Sequence, residues 1–172
     1  MKKVNLRKLI FCAMLTCLAT LAFYLENLFP PLFLPGARLG LSNVFVLLSV
    51  VLLGYFYGLS ALVVKIILGS LFSGNISTIM YSLPAGIIAL SLQTVVLFYA
   101  KKTSILSASV LGAVINSAIQ NIVFCLATNT LQFLCYLPYL TLVAVLSGLT
   151  VGFIVYLALK YIPITIFIEK EN

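Results

Sequence analysis

Two cations stand in sequence otherwise fit for hydrocarbon. Arg38 follows a Pro35-Gly36 turn in LFLPGARLGLSNVF, and Lys65 sits inside LSALVVKIILGSLF. A guanidinium next to the unpaired amides of a starting helix, here those near Gly40, Leu41 and Ser42, favours an anion. An interfacial arginine bound to lipid phosphate, or paired with Glu26, is the plainer alternative. Lys65 would lie roughly 12 Å from either end of its helix. An ammonium at that depth costs several kcal/mol unless it faces a polar or wet interior, and snorkelling is the competing explanation. Further along, LGAVINSAIQNIVF sets Asn116 and Gln120 one turn apart, with Ser117 and Asn121 on the adjoining strip. That face either lines a cavity or bonds helix to helix. Tyr81, Ser82 and Gln93, and then Tyr136, Tyr139 and Thr141, are further polar handles for the same cavity.

The chemistry these groups could perform is holding rather than converting. The chain has no Asp and no His, and its only acids are Glu26, Glu169 and Glu171. Without a carboxylate pair, a nucleophile–base couple or a G-x-x-x-x-G-K-[ST] loop, no metal, no cofactor, no nucleotide site and no enzyme activity is expected. Cys12, Cys17, Cys125 and Cys135 lack C-x-x-C spacing and read as small packing residues. Cys125 and Cys135 flank a short loop, but a disulfide between them is not the preferred expectation.

The elements that must position these side chains follow from composition. Of 172 residues 63% are hydrophobic and 8% charged, which specifies an all-α integral membrane protein. The net charge of +7 does not imply nucleic acid, because Lys2, Lys3, Arg7, Lys8, Lys101, Lys102, Lys160 and Lys170 all flank apolar runs and so set topology. The basic MKKVNLRK start precedes an apolar run without a clear cleavage site, so it is expected to remain as a first helix.

Apolar residues 39–72 would make a helix of about 50 Å, too long for the bilayer. Gly54 and Gly58 offer a tight turn within that run, preferred to a helix-dimerisation face, whereas Gly148-x-x-x-Gly152 is the better packing motif. Six helices result, at 9–25, 39–54, 57–72, 78–99, 104–127 and 135–159, forming one transmembrane domain over residues 1–172. Charge placement decides for six over five, since five would face Lys101 and Lys102 outward, whereas six put Lys101, Lys102, Lys160 and Lys170 on the side of the N-terminal cluster, with both termini expected in the cytoplasm of a multi-pass cell-membrane protein.

The stretch from Leu34 to Gly74 resembles a membrane family with a P-G-x-[KR]-L-G-L-x-N signature followed by a basic residue in an L-G-S-L helix. The family is the Gx transporter family, also labelled heptaprenyl diphosphate synthase component I, and it is similar to the substrate-binding S components of energy-coupling factor (ECF) transporters. Pro35, Gly36, Arg38, Gly40 and Asn43 match the signature, and Lys65 stands at the basic position. Leu111-Gly112-Ala113 opens the fifth-helix motif, which usually continues with His-Asn and a Gly-Gln pair. Here Asn116, Ser117 and Ile119 replace the His, Asn and Gly, and Gln120 is kept.

The resemblance implies a six-helix S component that captures a small molecule and docks, through small residues on its first helix, to a transmembrane coupling subunit driven by two ATPase subunits. Cys12, Ala13, Thr16 and Cys17 would form that docking strip, and Arg38, Asn43, Lys65, Tyr81, Asn116, Gln120 and Tyr139 would contact an anionic or amphipathic substrate. A synthase activity would need acidic Mg²⁺-binding motifs that this chain lacks. The rival assignment is therefore a non-catalytic membrane partner of a prenyl diphosphate or quinone-related enzyme.

Overall fold

A computed structural model describes residues 6–28, 40–99 and 103–161. They form six α-helices and, among the described residues, no strand: α1 Leu6–Leu28, α2 Leu41–Leu53, α3 Tyr55–Phe72, α4 Ser77–Tyr99, α5 Ile105–Thr128 and α6 Leu137–Tyr161. A 3₁₀ turn, Leu131–Tyr136, precedes α6 where the sequence led us to expect that helix to have begun. Arg38, Lys101 and Lys102 lie outside the described residues.

Five of the helices are long and apolar enough to cross a membrane, and no more than 39% of the most apolar stretch of any of them is buried within the bundle. Their remaining faces present Leu9, Met14, Leu18, Phe56, Leu142 and Phe153 outward. Such an apolar exterior belongs in lipid, where a helix satisfies its own backbone hydrogen bonds. The protein is a multi-pass membrane bundle.

The sixth helix, α2, is different. Its 13 residues span about 20 Å, short of the roughly 30 Å hydrocarbon core. It lies inside the bundle, touching α1, α3 and α6. Val46 and Val50 pack with Ala19, Leu62, Ile66 and Leu90, while Val44, Leu47 and Leu48 pack against Val151 and Val155 of α6. A short helix surrounded by protein need not match the bilayer.

The junction of α2 and α3 is one residue, Gly54, at φ 107° and ψ 170°, a conformation closed to residues with a Cβ. Gly54 alone turns the chain. Gly58, expected to share that turn, belongs to α3, where an added Cβ would strike the Val50 side chain and sit 3.2 Å from its backbone nitrogen. It permits the two arms to lie close together. Gly148 and Gly152 do the same for α6 against α5, since added Cβ atoms would come 2.6 Å from Val110 Cα and 3.0 Å from Leu106 Cα.

Candidate functional site

The α2–α3 hairpin sets the site's register. Lys65 lies eleven residues after Gly54 and Asn43 eleven before it, so the antiparallel arms bring them level. Lys65, only 2% exposed, donates from Nζ to Asn43 Oδ1 at 2.5 Å and to Ser42 Oγ at 3.2 Å. It is not snorkelling. A lysine inside a membrane bundle is tolerable where polar groups replace its water, and the first turn of α2 supplies two.

Around this pair is a cavity of about 80 Å³, walled by α1, α2, α3, α4, α5 and α6. The α5 wall is Ala113, Asn116, Ser117 and Gln120, and the α6 wall is Leu140, Val143, Ala144 and Ser147. Both sets follow the three- and four-residue spacing of one helix face. On α4 the lining residues Ser82 and Gly86 flank Pro84, which withholds a backbone N–H from the helix ladder. At the mouth, Glu26 of α1 accepts a hydrogen bond from the Leu41 amide and so sets a carboxylate against the N-terminus of α2, the end that favours negative charge. Gly40, at φ 71°, closes that corner, for a Cβ there would lie 2.8 Å from Ser147 Oγ.

Four residues expected in the site, Asn43, Lys65, Asn116 and Gln120, come together in this cavity. Gln120 already donates to Ser82 Oγ at 2.9 Å, joining α5 to α4. Its neighbour Asn121 faces elsewhere and donates to the Phe133 carbonyl at 3.4 Å, anchoring the 3₁₀ turn.

Tyr81 and Tyr139 do not line the cavity. Tyr81 is one residue, hence about 100° of helix, away from Ser82. Its hydroxyl meets Thr78 Oγ1 at 3.2 Å and its ring packs edge-on to Phe124. Tyr139 is 38% exposed, because in a helix starting at Leu137 the inward face passes through Leu140 instead. Sequence reasoning missed Ser147, which sits beside Gly148 in a stretch that reads as packing only. It also gave Glu26 a single use, as partner of Arg38. Among the described residues no group of three His, Cys, Asp or Glu could hold a metal ion.

The proposed docking strip divides. Cys12 is buried, with its thiol 3.5 Å from the Tyr57 carbonyl and 3.7 Å from Ser60 Oγ, so it serves the α1–α3 contact. Thr16 is half-buried and donates back to the Cys12 carbonyl at 2.7 Å. Ala13 and Cys17 are exposed. They border an open apolar groove of about 740 Å³ between α1 and α3, running from Leu9 to Tyr24 on one side and from Ser60 to Phe72 on the other. Cys125 and Cys135 are both free thiols, the first buried and the second exposed.

Residues 15–157 match the profile of the family described as heptaprenyl diphosphate synthase component I. The chain belongs to that family. The matched span starts within α1 and ends near the close of α6, so it covers every wall of the cavity and most of the groove. No curated protein and no solved structure matches the chain significantly.

Proposed function

We propose that this family member is the substrate-binding subunit, or S component, of an energy-coupling factor type importer, and that it holds a small anionic or amphipathic molecule in the cavity around Lys65. The observation carrying this is the buried ammonium at the first turn of α2, among polar side chains from α2, α4, α5 and α6. A cation kept at that depth by the hairpin register has a ready use as counter-charge to a bound anion. Arg38, two positions before Gly40 in the sequence, would add a second positive charge for the ligand. Asn116 and Gln120 supply hydrogen bonds. The chain itself hydrolyses nothing. Energy comes from two ATPase subunits through a transmembrane coupling subunit, which docks on α1 beside Ala13 and Cys17, and both termini face the cytoplasm.

The family's description favours a second function, that of a non-catalytic membrane partner to a prenyl diphosphate or quinone-related enzyme. Affinity purification of the full chain from its native membrane, with native mass spectrometry, separates the two. ATP-binding subunits together with a bound small anion support the S component. Recovery of a soluble synthase without ATPases defeats it.

A further inference from the structure

The cavity has an inner chamber. Asn43, Asn116 and Ser147 border both spaces, and beyond them about 40 Å³ is enclosed chiefly by Val46, Leu47, Leu90 and Val151. Three carboxamides line this mostly apolar space: Asn43, which binds Lys65, Gln93 from α4 and Asn116 from α5. Gln93 and Asn116 border the same small space, and Gln93 reaches across to α5, since a Cβ on Gly112 would lie 2.6 Å from Gln93 Oε1, with Asn116 one turn further along that helix. Gln120 and Asn121 have protein partners. Among the described residues, the Gln93 and Asn116 side chains have none. Each offers one acceptor and two donors, and groups left unmade in a lipid-embedded bundle are costly.

We infer that the inner chamber recognises the uncharged end of the ligand, a flat lactam edge with N–H beside C=O, gripped by Gln93 and Asn116 while the Lys65 side holds the acid. This rests on the anion site proposed above and adds the chemistry of the other end. Paired donors and acceptors on carboxamides suit such an edge as they suit a nucleobase. The two chambers are far smaller than the roughly 300–1,000 Å³ of a site for drug-sized molecules, which favours a small ring over a polyprenyl chain.

Orotate has both features, a carboxylate and lactam edges, whereas benzoate has the carboxylate on a ring of similar size. Calorimetric titration of the full chain in lipid nanodiscs should show orotate binding at least about tenfold tighter than benzoate, because a site built to hydrogen-bond a group rejects the analogue lacking it. Gln93→Met should erase that ratio, leave benzoate binding unchanged, and melt no lower than the parent when empty. Gly112→Ala, which keeps both carboxamides but pushes Gln93 aside, should also reduce the ratio. A ratio near one in the parent, a ratio untouched by Gln93→Met, or a lower melting temperature for that variant would overturn the inference. In those cases, loss of both anions together in Lys65→Met would leave the anion site standing. If neither orotate nor benzoate binds the parent, the anion site falls and the inner chamber's role with it.

Discussion

The helix α3 has two working faces that differ in almost every respect. Its inner face carries Leu62, Lys65 and Ile66 to a cavity of about 80 Å³, crowded with polar side chains. Its outer face lends Ser60, Val64, Leu68 and Phe72 to an open groove of about 740 Å³ that is nearly all apolar. Size and polarity run in opposite directions. In lipid, an apolar groove can recognise only shape, because hydrocarbon chains compete for it on equal terms. A polar cavity lined by six helices can recognise charge and hydrogen-bond pattern, because each unmatched group there carries a penalty. The small space is fit to discriminate by charge and hydrogen bonding, and the large one by shape.

Four experiments test this contrast, from the largest expected effect to the smallest. Asn43→Leu takes away an acceptor 2.5 Å from the Lys65 ammonium and should destabilise the bundle by about 2–4 kcal/mol. Thermal denaturation in nanodiscs would measure it, and adding Lys65→Met should recover most of the loss. If the double variant is no better than the single one, the pair is not the bond that matters. Gly40→Ala should cost about 1–3 kcal/mol, because its φ of 71° disfavours a Cβ that would also crowd Ser147.

On the α5 face, Gln120→Ala should cost about 1 kcal/mol of stability by freeing Ser82, whereas Asn116→Ala should cost almost none and weaken ligand binding instead. Equal destabilisation by both would return this strip to helix–helix bonding. In the groove, Ala13→Leu with Cys17→Leu should move stability by less than about 0.5 kcal/mol and leave ligand binding unchanged, while co-purification with a coupling subunit is lost. A surviving complex would assign docking to another face.

Apolar runs broken by turn residues located the helices, because length and hydropathy are local properties, and charge placement decided for six over five. Lys65 stood out for the same reason, as a charge where solvation is expensive. Asn43 was another matter. Its meeting with Lys65 depends on a one-residue joint, and only the resemblance to a signature singled it out. The side chains that failed to reach the cavity failed by rotation. Tyr81 is one step from Ser82, and Tyr139 one step from Leu140, and polarity along a line does not reveal which side of a helix faces inward. Conversely Ser147 and Ser42 are common small residues whose importance comes only from what lies opposite. The split of Cys12 from Ala13 and Cys17 has the same origin, since adjacent positions on α1 look in different directions.

The short α2 also bears on how the protein is made. A 13-residue segment is too brief to enter a bilayer as a span of its own, so it must come in with α3 as a hairpin pivoting on Gly54. Its packing surfaces, however, belong to α1 and to Val151 and Val155 of α6, nearly a hundred residues later in synthesis. Until α6 emerges, the hydroxyl of Ser42 and the amide of Asn43 have one wall missing. Synthesis therefore completes the cavity last, and a chain stopped before α6 would carry the Lys65 ammonium with an unfinished shelter.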